Sequence, residues 1–462
     1  MISKIFPFRL HLQILQLGEY RIVNFLKWIA KNLLKRSTEN KKKLVFSAKA
    51  KLVLVLALTL FLLTVSALTF IFGITGLVLG VILGTQPYLF LAISTFLLKL
   101  PENIARTWIK QKTAKKVASY KNLKVIGITG SYGKTSVKEF LYQILKTQFK
   151  TLKTPKSYNT VLGISKVVDL ELDETYEYFI CELAAYKRGE VRELCEMLSP
   201  SYGILTGINE QHLEMFGSIQ NTTKAKFELI EAISENGFAL VNVDNEIVPK
   251  SYKKYKKNLI PYGFSGKKFS AKNIKSVNNG TQFELILDGK KLQAKTKLIG
   301  KSQIQNIIAA ASIAFKLGVS PAKIISAIEE LMPVPHRLDI KKINGFQVID
   351  DAYNSNVTGF SEALNLLGEF KSSTKVIVTP GIVDLGSETR SIHSRLGKLC
   401  DQVCDYVILV GKSDRTDGLG SGISNKRKVI YIDSVFDIWE RLRELNLKDP
   451  IILIENDLPD NY

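Results

Sequence analysis

The sequence predicts an α/β protein in three parts. A two-helix apolar hairpin lies near the N-terminus, a central unit holds a mostly parallel sheet beside a glycine-rich loop, and a Rossmann-like α/β unit follows. Three observations carry this. No charged side chain occurs from Leu52 to Leu98. A β-branched run, KVIGITG, ends in glycine and is followed, after Ser131-Tyr132-Gly133, by KTSVKEFLYQILKTQF, whose apolar residues recur at helical spacing. Beyond it, short apolar runs alternate with helix-like stretches.

The apolar stretch comes first. A bilayer core takes about 20 apolar residues per helix, so Leu52–Leu98 accommodates two spans, about Leu52–Phe72 and Leu77–Leu98. Gly73, Gly76, Gly80, Gly84 and Gln86-Pro87 lie where the chain can reverse. Lys35, Arg36, Lys41, Lys42, Lys43 and Lys49 precede the hairpin, and Arg106, Lys110, Lys112, Lys115 and Lys116 follow it. Positive charge on both flanks places both ends on the cytoplasmic side, as an even number of spans permits. The expected location is the cytoplasmic membrane, with the α/β units in the cytoplasm. Segment 1–50, with Arg21, Lys27, Lys31 and Lys35 among leucines and aromatics, suits a helix in an anionic headgroup layer. The apolar stretch starts too late and runs too long for a cleaved signal peptide.

The 462 residues carry 64 Lys+Arg against 43 Asp+Glu, a net charge of +21. Such a charge calls for an anionic partner. With so much of it bordering the hairpin, membrane lipid accounts for it and nucleic acid is not expected. Cys181, Cys195, Cys400 and Cys404 form no C-x-x-C pair, which argues against a zinc knuckle or disulfide framework and for reduced thiols.

The central unit, 101–332 after the hairpin of 51–100, continues with the runs YFICEL, YGILTGI and FALVNVD, each separated by a helix-like stretch. From Lys250 to Leu298 the pattern is strand and turn, with Asn278-Asn279-Gly280 and Asp288-Gly289 as hairpin turns. The alanine-rich NIIAAASIAFKLG is a helix closed by Gly318. The last unit, 333–462, contains FQVIDDAYN, KVIVTPG, YVILVG, KVIYI and IILIEN as five strands, with a helix through Phe360–Leu367. There is no internal repeat and no low-complexity linker.

Strand, glycine turn and helix make a phosphate site, because N–H groups at a helix start point outward and the dipole favours an anion there. The loop departs from the G-x-x-x-x-G-K-[ST] spacing, since Ile128 stands where the first glycine belongs. Lys134 is placed to reach β- and γ-phosphates, and the Thr135 hydroxyl to hold Mg²⁺.

Three ordered motifs, TGSYGKTS, TGINEQHLEMFGS with KAKFELIEA, and HRLDI followed by VIDDAYNSN, resemble the Mur ligase family. The likeness is greatest to its branch that adds D-alanyl-D-alanine to a muramyl tripeptide. It runs from about Lys124 onward and explains the short loop, T-G-[ST]-x-G-K-[ST]-[ST]. The resemblance implies ATP-driven amide formation through an acyl phosphate. It assigns ATP to Gly130, Ser131, Gly133, Lys134, Thr135 and Ser136, with Asn306 near adenine and Arg337 and Asp351 reaching in from the C-terminal unit. It implies Mg²⁺ at Thr135, Glu182 and His212, and a carbamylated lysine at Lys226, with Lys224 as its register competitor. Lys134, Lys226 and His212 are then the catalytic set, and Asn159, Tyr353, Asn354 and Asn356 face substrate.

The pattern is not followed everywhere. Ser302 and Gln303 stand where the family has His and Asn, Val357 replaces a proline, Thr160 replaces the usual partner of Asn159, and Tyr132 is unusual in the loop. Nothing corresponds to the family's UDP-sugar-binding domain, and LIENDLPDNY ends short of its basic, serine-containing loop. Two functions follow. One is a membrane-anchored ligase joining an amino acid or dipeptide to a UDP-linked or lipid-linked cell-wall precursor. The other is a catalytically altered nucleotide-binding scaffold of the envelope machinery. A transporter is disfavoured, because the spans hold no ionisable residue.

Overall fold

Strand β1 (Lys124–Thr129) is the middle of a sheet whose every partner is parallel, which requires both faces to be covered and explains its unbroken apolar run. Around it the order is β2 (Thr151–Lys153), β3 (Tyr178–Glu182), β1, β4 (Tyr202–Leu205), β5 (Phe238–Asn242) and β6 (Leu259–Tyr262). The computed structural model describes residues 7–18, 20–32, 44–156, 158–277, 280–353, 355–371 and 373–455. Asn354, the Asn278-Asn279 turn, Lys35, Arg36 and Lys41 to Lys43 lie outside them.

The chain forms two compact units, the first ending at Trp108 and the second beginning at Ile109. In the first, short helices Phe8–Leu17 and Ile22–Asn32 bury Phe8, Leu12, Leu15, Phe25 and Ile29 in a core shared with Ala50, Val53, Ala57, Phe90 and Leu91. The helix Ala48–Gly84 is interrupted at Gly73, whose φ of 58° and ψ of −136° turn the chain back on itself. This backbone belongs to glycine, since a Cβ would clash with the neighbouring carbonyl. The reversal brings Gly76 against the Leu68 carbonyl and Gly80 against the Val65 side chain. The returning leg continues past the break at Gln86-Pro87 into the helix Tyr88–Ser119. Its antiparallel register shows in the Phe61–Phe90 ring pair, 5.5 Å between centroids, and in Lys49–Glu102 at 2.6 Å. Thus Gly73 makes the turn, while Gln86-Pro87 only bends the second leg. Both helices are long and apolar enough to cross a membrane by length and composition, and Leu62, Phe70, Ile71, Phe72 and Ile74 are exposed.

In the second unit, helices cover the two faces of the first sheet. One face packs Phe140, Leu141 and Ile144 of helix Lys134–Leu145 against the helix Lys301–Lys316. The same core takes in the antiparallel sheet β7 (Phe269–Val277), β8 (Gly280–Leu287) and β9 (Lys290–Thr296). The other face packs helices Val161–Leu170, Glu190–Leu198 and Ile219–Ala232. A further sheet runs β10 (Asp339–Ile343), β11 (Phe346–Asp351), β15 (Pro450–Glu455), β12 (Thr374–Thr379), β13 (Tyr406–Val410) and β14 (Val429–Ile432), with only β10 antiparallel. The predicted runs coincide with strands. β2 and β10, short or polar edge strands, carry no apolar run and are added by the structure.

Candidate active site

The site is built at the carboxyl ends of β1, β3 and β4, where a parallel sheet leaves backbone and side chains free to meet a ligand. Helix Lys134–Leu145 starts after Gly133, whose φ is 75°. A Cβ at Gly133 would stand 2.7 Å from Asn306 Oδ1, so glycine both turns the loop and lets Asn306 close on it. The first turn has no acidic side chain, as an anion-binding helix start requires. Ser131 Oγ accepts the Asn209 N–H at 3.2 Å, tying the loop to the end of β4. Tyr132 lies against Gly207, and its hydroxyl accepts from Asn245 Nδ2 at 3.2 Å. Lys134 Nζ donates to the Gly130 and Ser131 carbonyls at 2.8 and 3.4 Å. Burial lowers the Lys134 pKa, against the pull of Glu182 and with a further push from Arg337.

Glu182, 3% exposed at the end of β3, is the hub. The Thr135 hydroxyl donates to its Oε2 at 2.9 Å, and Asn159 Nδ2 donates to its Oε1 at 3.2 Å. The ammonium of Lys138 stands 3.9 Å from Oε2. Thr160 caps the helix Val161–Leu170 by accepting from Gly163 N, which explains its presence beside Asn159.

Lys226 is buried on helix Ile219–Ala232, while its competitor Lys224 is exposed. Burial, reinforced by the neighbouring Lys134 and opposed by Glu190, Glu182 and Glu228, brings the Lys226 pKa down to about 7. Its Nζ lies 5.6 Å from the centre of the Phe216 ring. His212 has a left-handed φ of 58°. Its ring meets Tyr186 edge-on at 4.7 Å, and its Nδ1 faces Asp384 Oδ2 at 3.2 Å.

From the C-terminal sheet come Arg337, stacked 4.5 Å over the Tyr353 ring, and Asp351, whose Oδ1 accepts the Leu338 N–H at 3.2 Å. Burial raises the Asp351 pKa to about 6, with Arg337 opposing. Glu455 pairs with Asp351 in strand register; it is fully buried and raised further, again by burial. Asn356 caps helix Val357–Glu369 and accepts from Asn209 Nδ2 at 2.6 Å, linking the two sheets' loops. Gln303 Nε2 donates to the Arg337 carbonyl at 2.8 Å, so the departure from the family pattern holds an arginine in place.

Most of these groups line one open cleft of about 580 Å³. Every described residue expected at the site lines it except Gly130. Sequence reasoning missed Lys138, Asn209 and Asp384. Lys138 was findable as a charge among the buried positions Val137, Phe140 and Leu141 of one helix. Both Asp384 and Asn209 sit in loops after strands; Asn209 lies within the TGINEQHLEMFGS motif, and Asp384 had no local signal. Among the described residues no group of three His, Cys, Asp or Glu side chains converges as a metal cage. A hydroxyl and a carboxylate already in contact, Thr135 and Glu182, are hard oxygen donors that suit Mg²⁺ when phosphate oxygens and water complete its shell.

Comparison with known proteins agrees. Residues 128–314 match the Mur ligase middle domain and residues 336–454 the "Mur ligase, glutamate ligase domain". Over 324 residues the chain is 30% identical to the UDP-N-acetylmuramoyl-tripeptide–D-alanyl-D-alanine ligase of Buchnera aphidicola subsp. Baizongia pistaciae, covering 68% of this chain and 67% of that enzyme. The chain belongs to the Mur ligase family. Its members are ATP-dependent ligases, and so is this one. The enzyme of the same name from Escherichia coli is 29% identical over 326 residues, 68% of this chain and 69% of its own. The Bacillus subtilis enzyme is 26% identical over 357 residues, 75% of each. The crystal structure of MurF from Acinetobacter baumannii superposes with a TM-score of 0.71 at 25% identity, over 77% of this chain and 78% of that one.

Proposed function

We propose that this Mur ligase is a membrane-anchored enzyme of the D-alanyl-D-alanine-adding type. It joins that dipeptide, or a similar amine, to the carboxylate of a muramyl peptide carried on UDP or on a lipid. The observation that carries this reading is the Thr135–Glu182–Asn159 triad, where one carboxylate touches both the phosphate loop and the acceptor-side asparagine.

In this reading 101–332 is the ATP-binding domain and 333–462 the lobe that closes on it. Gly130, Ser131, Gly133 and Ser136 present the loop to the phosphates. Lys134 exchanges its loop carbonyls for phosphate oxygens, and Asn306 contacts the base. Arg337 and Asp351 reach the nucleotide on closure. Thr135, Glu182 and His212 would hold Mg²⁺, which would supply positive charge against the crowded phosphate and carboxylate oxygens. An acceptor carboxylate oxygen attacks the γ-phosphorus and ADP leaves. The amine then attacks the acyl carbon, the carbon–phosphate oxygen bond breaks, and phosphate and one proton depart. Lys226, whose pKa burial lowers to about 7, has a substantial uncharged fraction near physiological pH and is suited to take up CO₂ as a carbamate, and Asn159, Tyr353, Asn354 and Asn356 orient the peptide. The hairpin inserts in the cytoplasmic membrane with its basic flanks on anionic lipid.

The test is mass analysis of product after incubating the protein with ATP, Mg²⁺, D-alanyl-D-alanine and either UDP-linked or lipid-linked muramyl tripeptide. A mass gain of one dipeptide less water, with stoichiometric phosphate release, is expected. Absence of both with every acceptor points instead to the scaffold reading, under which Lys134, Glu182 and Lys226 variants would still complement a deletion.

A further inference from the structure

The proposed chemistry leaves the buried ammonium of Lys138, beside Glu182, without a role. It lies one helical turn beyond Lys134, with a side chain fully shielded from solvent. A buried ammonium without partners is expensive, and three oxygens surround this one. Lys138 Nζ donates to the Lys156 carbonyl at 2.5 Å, and it faces Glu139 Oε1 at 3.6 Å and Glu182 Oε2 at 3.9 Å. Glu139 is shared, since Lys153 at the end of β2 pairs with its other oxygen. Lys156 leads into the stretch that carries Asn159, whose amide holds Glu182 Oε1 and whose carbonyl accepts the Ala184 N–H at 3.3 Å.

We propose that Lys138 is a positioning residue that balances the charge of Glu182 from behind and pins the Lys156 carbonyl to the same point. One carboxylate thereby sets the phosphate side through Thr135 and the acceptor side through Asn159. The inference rests on the reading of Glu182 as a metal carboxylate. A cation 3.9 Å from Oε2 opposes a second cation on that oxygen, so Lys138 weakens metal binding while it orders the acceptor side. A merely structural lysine would do neither.

The test compares wild type, Lys138→Met, Lys138→Gln and Glu182→Gln in the full chain. Mg²⁺ is titrated against binding of a fluorescent non-hydrolysable ATP analogue, and steady-state kinetics run alongside. Lys138→Met removes charge and donor together, so half-saturating Mg²⁺ should fall at least threefold while KM for the muramyl acceptor rises at least tenfold. Lys138→Gln keeps a donor for the Lys156 carbonyl, so it should reproduce the Mg²⁺ shift with an acceptor KM within threefold of wild type. Unshifted Mg²⁺ dependence in both lysine variants, with Glu182→Gln strongly impaired, overturns the role of Lys138 alone. Unshifted dependence in Glu182→Gln overturns the metal reading and this inference with it. Should the lysine variants not fold, amide exchange over 153–161 in wild type decides. Slowing with analogue plus Mg²⁺ but not with analogue alone supports the coupling, and no difference overturns it.

Discussion

Lys226 offers the sharpest test of the site. Replacing it with Met keeps an unbranched side chain of similar length and removes an amine whose charged form is costly to bury. Its pKa falls from the ordinary 10.5 to about 7, which at about 1.4 kcal/mol per unit corresponds to about 5 kcal/mol of burial cost. The sign follows from proton binding. Below pH 7 the lysine is charged in folded and unfolded chains alike, and the full cost is present. Between pH 7 and 10.5 only the unfolded chain holds the proton, so wild-type stability climbs as pH rises. Above 10.5 the cost is gone.

Lys226→Met should therefore be the more stable protein at pH 7. Its advantage should shrink by about 3 kcal/mol on going to pH 9.5, as read from urea denaturation in bicarbonate-free buffer. Ligase activity of the variant should fall on the order of a hundredfold or more at every pH. A stability gap that varies by less than about 0.5 kcal/mol over this range would show that Lys226 is not held neutral. The argument for its reactivity toward CO₂ would then collapse.

Three other perturbations follow from the same geometry. Thr135→Ala deletes the hydroxyl 2.9 Å from Glu182 and should lower kcat/KM about a hundredfold with little change in melting temperature; a loss under threefold in steady-state assays would remove Thr135 from the chemistry. Gly133→Ala forces a side chain into a φ of 75° and within 2.7 Å of Asn306, so thermal denaturation should show a loss of about 1–3 kcal/mol and ATP KM should rise. The full chain should float with anionic vesicles in a density gradient and a chain lacking 1–98 should stay in the aqueous fraction; co-flotation of both would refute the membrane role of the hairpin.

Much of the fold was legible because secondary structure follows local patterning. The β-branched run ending at Gly130 and the helical spacing after it required no tertiary information. Neither did the alternation of apolar runs in the last unit. The four glycines of the hairpin all permitted a reversal, and only packing selected Gly73, where a left-handed backbone lets Gly76 and Gly80 approach the first leg. Motif resemblance favoured Lys226 over its register competitor Lys224, and packing buries Lys226 near Phe216 while it leaves Lys224 exposed.

Composition and short-range order thus indicated the fold class, the glycine loop and the two apolar helices, and motif resemblance indicated the family. Contacts between distant segments settled the rest, because no local pattern encodes them. His212 meets Asp384 across 172 residues, Asn209 meets Asn356 across 147, and Lys138 reaches Glu182 only because β3 lies beside β1. A buried charge is tolerated where its partners converge, and convergence is a property of packed elements rather than of neighbours in the chain.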